Sequence, residues 1–446
     1  MEEDDKMQEP VRILHVFGKL NRGGAESRVM DLYRHMDRDK VQFDFLVHYK
    51  MTGEDRERLR GLKGEETAAD VTGCGGKLSS EVLYRLRPEE DLDEKVRSLG
   101  GRIYVLPRFT GGNFIEYKEA CRDFFAVHHE FAAVEGHMTS MASVYLPIAK
   151  AAGVPVTIAH ARSAGVDRGL RGVMTRVFRS SLSGRCDVMM SCSREASVSV
   201  FGRRAYESGR IMNVPNALEL SSFAFDPAKR KAVRERYGIP EDALVIGHVG
   251  RLDPVKNHTY IAAVGRELEH LGGRKNVYYL FAGKGSLKDE IQKAFEKAGL
   301  GERLIFTGQL EREETAGIYQ GFDVFVFPSL YEGLPGTVIE AQASGLPCVI
   351  ADTITQEVDL TELVKRLPLG EENAGKWAAE ILHREESRDA DGRDRNEVRR
   401  RASERAMAVL KEAGFDVTTA AVKMQRLYLG YAGAACGAAE QLQKER

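Results

Sequence analysis

Two glutamates, Glu332 and Glu340, flank a short turn rich in glycine and proline. An apolar run that ends at Phe327 predicts a buried strand before the turn, and a helix is expected to begin near Gly336 or Thr337. A strand, a glycine turn and a helix N-terminus form an anion site, because the first amides of a helix lack partners within it and the helix dipole attracts negative charge. Ligands of open parallel sheets bind beyond the carboxyl ends of strands, so the segment predicts a nucleotide site.

The two carboxylates are expected to serve different parts of such a ligand. Glu340 is predicted in the first helical turn, from which it can reach back toward a ribose diol, as an acidic residue does in dinucleotide-binding folds. Glu332 precedes the turn and is expected to face the sugar beyond a diphosphate. The alternative is that Glu340 only supports the helix dipole and that Glu332 is an ordinary exposed side chain.

The same segment resembles the signature of the retaining glycosyltransferases of family four, which have the GT-B fold. In that signature seven residues separate two glutamates and Gly-Leu or Gly-Phe follows the first, as at Glu332, Gly333, Leu334 and Glu340. The match looks closest to the exopolysaccharide and capsule branch, the EpsF-like enzymes. The resemblance implies a nucleotide-sugar donor, with a UDP-sugar favoured, and a catalytic Glu332. The donor contacts that it implies here are Gly333, Leu334, Pro335, Gly336 and Glu340.

A second motif, residues 249–257, resembles the Gly-Arg-x-x-x-x-Lys-Asn element of the family. Arg251 and Lys256 follow a predicted strand and Gly250, and two cations at this place can clamp a diphosphate and offset its charge as the glycosidic bond breaks. Taken alone, an arginine and a lysine would be a solvated surface pair. The loop that ends at Leu310 resembles the family loop that borders the nucleotide base.

The N-terminal half contains weaker matches. The loop that includes Gly23 and Gly24 resembles the first glycine loop of the family. His137 follows a predicted strand where the family has a histidine that helps to orient the donor sugar, so the resemblance implies a catalytic His137 beside Glu332. His160, after the next predicted strand, is a weaker candidate. A glycine loop before a helix is common, and a single histidine is more often structural. In the turn at the predicted domain junction, Ala217 replaces the usual glycine.

Short apolar runs alternate with amphipathic runs along the chain, which predicts α/β architecture with parallel sheets covered on both faces. At 446 residues the chain is long enough for two domains. We expect two Rossmann-like doubly wound domains facing a central cleft, as in GT-B enzymes. The predicted bounds are 1–215 for an acceptor domain, 216–410 for a donor-binding domain, and 411–446 for a C-terminal helix that packs back on the first domain. Residues 52–91 are predicted to be a mobile insertion with at most a short helix, and the charged stretch 373–411 a solvated helical face.

The predicted strands and helices follow this alternation. In the first domain the strands are 11–17, 41–48, 102–106, 132–135 and 154–160, and the helices are 25–35, 117–127 and 140–152. In the second domain the strands are 244–249, 277–282, 304–307, 324–327 and a last one at 347–351. The helices of the second domain are 258–269, 287–298, 313–320 and one that includes 338–343.

Composition limits the classes of function. The net charge of −2 argues against a nucleic-acid binder. Six cysteines without a Cys-x-x-Cys pair indicate a reduced, cytoplasmic protein, and no signal peptide or apolar run long enough for a membrane helix is seen. No Asp-x-Asp motif follows a strand, so no metal and no other cofactor is expected. Residues 162–210 contain ten arginines, no lysine and four acids, and this patch could attract an anionic membrane at the inner face of the cell or a lipid-diphosphate acceptor.

These features predict a retaining hexosyltransferase that moves sugar from a nucleotide sugar to a glycan or lipid-linked acceptor in exopolysaccharide or capsule synthesis. Two alternatives remain open. A nucleotide-sugar epimerase of the same fold would turn over the donor without an acceptor. A non-catalytic scaffold subunit would bind nucleotide sugar without turnover.

Overall fold

The computed structural model describes residues 9–21, 23–55, 57, 72–73, 77–163, 165, 169–272, 276–389 and 394–434. The chain forms two compact units: unit 1 contains residues 1–217 and 417–446, and unit 2 contains residues 218–416. These boundaries differ from the predicted 215/216 and 410/411. Leu218 and Asp416, the first and last residues of unit 2, pair in a parallel bridge.

Unit 1 is built on a seven-stranded parallel sheet. Its strands in chain order are β1 (Val11–Val16), β2 (Val41–Tyr49), β5 (Ile103–Pro107), β6 (Phe131–Gly136), β7 (Val156–Ala161), β8 (Val188–Ser191) and β9 (Ile211–Asn213), and a separate antiparallel hairpin contains β3 (Thr72–Gly73) and β4 (Lys77–Leu78). The sheet order is β5-β2-β1-β6-β7-β8-β9. Its helices are α1 (Gly24–Arg34), α2 (Ser80–Leu86), α3 (Asp93–Ser98), α4 (Phe114–Val127), α5 (Thr139–Ala151), α6 (Leu170–Ser180), α7 (Arg194–Phe201) and α8 (Arg203–Glu207).

The near-continuous apolar sequence of β1 is explained by helices on both faces of the sheet. Leu14 packs in one core cluster with Tyr117 of α4 and Tyr145 of α5. Its neighbour Ile13 packs in a second cluster with Tyr33 of α1. Successive side chains of a strand point to opposite faces, so a strand buried on both faces shows no polar alternation.

In the predicted insertion at 52–91, the described residues 77–91 contain one short helix, as expected, but they pack against the sheet instead of forming a loop. Val82 and Leu83 of α2 are buried, and the Ser80 hydroxyl accepts a hydrogen bond from the Val105 amide of β5 at 2.8 Å. The Glu90 carboxylate accepts from the Leu20 amide at 2.5 Å. This part of the segment therefore supports the sheet edge and the glycine loop, although its many charges favoured a loop. Residues 56, 58–71 and 74–76 lie outside the described residues.

Unit 2 is built on a six-stranded parallel sheet. Its strands are β10 (Leu244–Val249), β11 (Val277–Ala282), β12 (Leu304–Gly308), β13 (Val324–Phe327), β14 (Cys348–Ala351) and β15 (Val364–Leu367), in the order β12-β11-β10-β13-β14-β15. Its helices are α9 (Pro227–Arg236), α10 (His258–Gly272), α11 (Lys288–Lys297), α12 (Arg312–Gly321), α13 (Gly336–Ala343), α14 (Ala374–Asp389) and α15 (Arg395–Glu412). The order of each sheet reverses beside its first strand, so the predicted class, α/β with two doubly wound sheets, is confirmed.

Helices α14 and α15 have exposed charged residues, as predicted for 373–411, but each also has a buried side that was not predicted. Trp377 of α14 is fully buried and donates through its indole nitrogen to the Pro368 carbonyl at 2.9 Å. Arg399 of α15 is 2% exposed. Its guanidinium group donates to four main-chain carbonyls, those of Tyr319, Gln320, Phe322 and Ser344. Long charged side chains thus conceal a packed face.

Helix α16 (Val417–Ala434), the last one among the described residues, belongs to unit 1. Ala421, Met424 and Tyr428 are buried in the same cluster as Phe43 of β2. The helix therefore covers part of one face of the seven-stranded sheet of unit 1. Among the helices of the described residues, none has the length and apolar character needed to cross a membrane.

Candidate active site

In unit 2 the loops after β10 and β13 are joined by hydrogen bonds. The Leu330 amide donates to the Val255 carbonyl at 2.8 Å, and the Asn257 side-chain amide donates to the Pro328 carbonyl at 3.2 Å. Asn257 has φ = 52°, a left-handed conformation that asparagine tolerates better than most residues. Because both strands are parallel and adjacent, the two motifs predicted to bind donor meet at the carboxyl ends of these strands.

An ion pair joins the two motifs at the carboxyl ends of these strands. Lys256 Nζ lies 2.6 Å from Glu332 Oε1, and the two side chains are only 13% and 21% exposed. The ammonium group also lies 4.6 Å from the centre of the Phe327 ring, which supports it by a cation–π contact. The structure therefore brings together the predicted catalytic acid and a predicted phosphate-binding cation.

Arg251 has a different environment from Lys256. Its side chain is 83% exposed, and its guanidinium group contacts the Asp253 carboxylate at 3.2 Å. Asp253 also caps the single helical turn Pro254–Lys256 by accepting from the Lys256 amide. The two predicted clamp residues thus belong to one loop, in which Lys256 is held and Arg251 reaches into solvent.

Glu340 does not lie in the first turn of its helix, as predicted, but in the second, because α13 begins at Gly336. The residue is 8% exposed, and its carboxylate accepts a hydrogen bond from the Tyr319 hydroxyl at 2.8 Å. In the first turn, the Thr337 hydroxyl oxygen is buried and has no hydrogen-bond partner among the described residues. Pro335, at the N-cap, offers no side chain to satisfy the amides of that turn.

Glycines let the neighbouring loops approach the carboxyl ends of these strands closely. A Cβ atom on Gly283 would lie 2.0 Å from the Gly250 carbonyl oxygen, and Gly283 has φ = 141°. Its amide donates to the Gly308 carbonyl at 2.9 Å, which joins the loop that leads to Leu310. Leu310 is half-buried against the core of unit 2. The predicted border of the base site is therefore held by main-chain contacts.

In unit 1, Gly23 and Gly24 lie at the start of α1, the first as its N-cap. A Cβ atom on Gly24 would meet nothing within 4 Å. Gly24 also has no left-handed backbone conformation that would require glycine. Packing within the described residues therefore does not explain a glycine at this position, and close approach of a ligand remains a reason for it.

His137 follows β6, as predicted, but its side chain is only 2% exposed. Its ring stacks on Phe17 with centroids 4.3 Å apart. Burial, reinforced by the Arg162 charge and opposed by the Glu135 charge, holds the pKa of His137 well below its ordinary value. The imidazole is therefore a neutral, packed group rather than an exposed one. His160 was predicted after a strand, but it lies inside β7 and is fully buried.

The hydrogen bonds of His137 fix its tautomer. Arg162 Nε donates to its Nδ1 at 3.4 Å, so Nε2 carries the proton and donates to His15 Nδ1 at 3.1 Å. The donor atoms of His15, Glu135 and His137 lie within 4.8 Å of one another, close enough for a metal ion to bridge. The contact between His15 and His137 already accounts for two of these atoms.

Sequence reasoning missed the partners of His137. His15, Glu135 and Arg162 surround it, and Tyr428 of α16 donates to the Glu135 carboxylate at 2.6 Å. A histidine within the apolar run of β1 and a glutamate within that of β6 were the available signals, since polar side chains in buried strands need partners. Nothing local in the sequence indicated a tyrosine 293 positions away.

Comparison with known proteins shows which family this chain resembles. A family model described as Glycosyl transferases group 1 matches residues 229–406. The chain is 34% identical over 374 residues to the EpsF protein of Bacillus subtilis (strain 168), whose name describes a glycosyltransferase, with 83% of this chain and 86% of that protein covered. It is 26% identical over 242 residues to the UDP-Gal:alpha-D-GlcNAc-diphosphoundecaprenol alpha-1,3-galactosyltransferase of Escherichia coli, with 53% of this chain and 60% of that protein covered.

Solved structures share the fold at low identity. HepE of Anabaena in complex with UDP has a TM-score of 0.67 and 14% identity, with 94% of this chain and 99% of that chain covered. A glycosyltransferase from Rickettsia africae ESF-5 has a TM-score of 0.70 and 12% identity, with 95% and 99% covered. Given the family match and the identity to EpsF over most of both chains, this chain belongs to the Glycosyl transferases group 1 family, is an EpsF-like glycosyltransferase of family four, and has the GT-B fold.

Proposed function

We propose that the chain transfers a hexose-type sugar from a nucleotide sugar, with a UDP-sugar favoured, to a glycan or lipid-linked acceptor in exopolysaccharide or capsule synthesis. The observation that carries this proposal is the Lys256–Glu332 pair, in which Glu332 belongs to the loop between β13 and α13. A cation, a carboxylate and the first amides of a helix at the carboxyl ends of neighbouring strands suit a ligand with a diphosphate and a hydroxyl-rich sugar. The same substrate class is supported by the Escherichia coli relative, whose name contains a UDP-sugar, and by HepE, a protein of the same fold solved with UDP and with UDP-glucose.

Each predicted site residue of unit 2 that binds the donor has a proposed role. Lys256 and Arg251 bind the diphosphate together with the turn Gly333–Gly336, where the buried Thr337 hydroxyl is a further donor. Glu332 contacts the transferred sugar. Glu340, oriented by Tyr319, binds the ribose from the second turn of α13. In the turn, Leu334 and Pro335 shape the pocket and their glycine neighbours allow close approach.

The remaining predicted residues keep the roles that the resemblance implies. Leu310 borders the base, Gly23 and Gly24 approach substrate at the start of α1, and His137 helps to orient the donor sugar. We propose that no metal or other cofactor takes part, since two cations and helix amides can offset the charge of the leaving diphosphate. Treatment with a chelator is then expected to leave the transfer rate unchanged, and loss of activity that added metal restores would contradict this.

The proposed reaction retains the anomeric configuration. The bond between the anomeric carbon and the phosphate oxygen breaks, the acceptor oxygen bonds to the same face of that carbon, and the acceptor proton passes to the departing phosphate. Nuclear magnetic resonance of the first product formed checks this directly. An inverted anomeric configuration would contradict the proposal.

Acceptor dependence separates transfer from the two alternatives. Thermal unfolding with a panel of nucleotide sugars identifies the donor, because a ligand that binds only the folded state raises the melting temperature. That donor is then incubated with and without glycan or lipid-linked acceptors. Nucleotide release that depends on acceptor supports transfer, epimerised donor without acceptor indicates the epimerase, and binding without turnover indicates the scaffold subunit.

A cytoplasmic location with peripheral contact to the inner face of the membrane is also proposed. Helix α6 exposes Val173 and Val177, at 53% and 65%, and neighbouring α4 exposes Ile115 at 73%. Phe114 of α4 stacks with Phe178 of α6, with ring centroids 6.2 Å apart. Apolar side chains surrounded by basic ones are typical of helices that lie in a membrane interface, and the segment 162–210 carries the net positive charge noted above.

Vesicle binding tests this contact. Sedimentation with phosphatidylglycerol vesicles is expected for the wild-type chain, with much less binding to phosphatidylcholine vesicles. Val177→Asp is expected to weaken binding, whereas Val422→Asp, at a position on α16 that is 52% exposed, is the matched control. Equal binding of both variants would exclude α6 as the contact.

A further inference from the structure

Glu135 is a carboxylate inside the sheet of unit 1, and each of its oxygens has a partner. His160 Nδ1 donates to Oε1 at 2.7 Å, and the Tyr428 hydroxyl donates to Oε2 at 2.6 Å. Oε1 also lies 3.5 Å from His137 Nε2. All of these side chains are at most 2% exposed, so water does not substitute for a lost partner.

Tyr428 is the member of this group that comes from a distant part of the chain. Burial and the neighbouring Glu135 charge raise the pKa of Tyr428 well above its ordinary value, so its hydroxyl stays protonated and acts as a donor at neutral pH. Its ring packs edge-on against His15 and Phe43. The tyrosine is therefore held in place by packing and points its one proton at the carboxylate.

The two hydrogen bonds hold the Glu135 carboxylate in one orientation, because each of its oxygens accepts from a different side chain. Burial alone would raise the pKa of Glu135, but the hydrogen bond from His160 and the nearby imidazoles hold it well below its ordinary value. With Tyr428 on one oxygen, the other oxygen faces His160 and His137 in one orientation. Without the Tyr428 hydroxyl, Glu135 Oε2 would be buried with no hydrogen-bond donor. The carboxylate would then rotate to find another donor and would lose its orientation toward His160 and His137.

We propose that Tyr428 is a positioning residue for glycosyl transfer, acting through Glu135 on His160 and His137. The inference rests on the role proposed for His137, since a histidine that orients substrate must itself be held in one rotamer, and Glu135 Oε1 packs 3.5 Å from its Nε2. It gives α16 a task beyond covering the sheet. Helix α16 supplies the hydrogen bond that holds Glu135 near the end of β6.

Tyr428→Phe tests this with the smallest possible change, because it removes one hydroxyl and keeps the ring. We expect kcat to fall about tenfold to a hundredfold, while KM for the donor changes by less than about twofold. Tyr33→Phe is the matched control. That tyrosine is equally buried in the same cluster, and its hydroxyl contacts Gln42 and Leu99 instead.

Three results would overturn the inference: a wild-type kcat in Tyr428→Phe, an equal loss of kcat in Tyr33→Phe, or a loss that only follows a lowered melting temperature. A second comparison uses Glu135→Gln. If Tyr428 acts through Glu135, the double variant Tyr428→Phe/Glu135→Gln has the same kcat as Glu135→Gln alone. A fold-loss of kcat in the double variant equal to the product of the two single-variant losses would contradict that route. Lack of transfer by the wild-type chain would instead reject the proposed function.

Discussion

Lys256 and Glu332 are 76 positions apart in the chain, yet they form the closest charged contact of the candidate site. The sequence predicted each residue by its motif and assigned them different ligand groups. It did not predict that they bind each other, because that depends on the hydrogen bonds that join the loops after β10 and β13. In the structure Glu332 orients Lys256, so the two cannot be interpreted separately.

The first prediction concerns Lys256. Lys256→Ala removes a partly buried cation and is expected to weaken binding of UDP by about tenfold to a hundredfold, since a hydrogen bond to a charged group contributes about 1.5–3 kcal/mol. Isothermal titration calorimetry measures this change. Lys365→Ala, at an exposed position of β15, is the control with the same loss of charge. Equal affinities of both variants would remove Lys256 from the diphosphate site.

Residue-scale prediction failed where burial decides the environment. Glu340 and His137 were both identified, but one lies a turn later in its helix than expected and the other has a covered ring. The turn in which Glu340 lies follows from where α13 begins, whereas the ring of His137 is covered by Phe17, a residue distant in the sequence. A motif specifies which residue occurs in the chain but not what surrounds it.

At the scale of elements, the strands with unbroken apolar runs were predicted best. The strands that begin at Val41, Leu244, Val277 and Val324 start at the predicted residues. The last strand, β15, was missed because its sequence, VKRL, contains two charges and it lies at the sheet edge. A short helix was expected within 52–91, but the packing of α2 was not, because charged neighbours hide its three buried side chains.

The second prediction concerns how α15 stabilises unit 2. Arg399→Met would leave four buried carbonyls without their donor, and we expect it to lower the free energy of unfolding by about 3 kcal/mol or more. Arg401→Met, in the same helix, removes only an ion pair with Glu397 and is expected to have little effect. Urea unfolding of both variants checks this. A stable Arg399→Met chain would show that these hydrogen bonds are dispensable.

At the scale of the whole molecule, buried histidines in both units predict how stability depends on pH. Burial lowers the pKa of His15, His48, His160 and His258 to about 4. The unfolded chain binds these protons near its ordinary pKa of about 6.5, well before the folded chain does. The stability is therefore fully present above about pH 6.5 and is lost as the pH falls toward about 4.

The third prediction follows from this difference. Between pH 7 and pH 5, each such histidine is expected to lower the free energy of unfolding by about 2 kcal/mol. Urea unfolding at several pH values measures the slope. Because burial is the main cause of each shift, added salt is expected to change the slope little. Stability that stays constant over this range would contradict the neutral, buried state of these rings.

The central claim is that the Lys256–Glu332 site of unit 2 binds a nucleotide sugar and transfers its sugar. Glu332→Gln tests it most directly, because it keeps the shape of the side chain and removes the charge. We expect UDP to bind as tightly as to the wild-type chain or more tightly, since Lys256 loses a competing carboxylate, and the transfer rate to fall by about a hundredfold or more. Unchanged transfer, or loss of UDP binding together with transfer, would contradict the account.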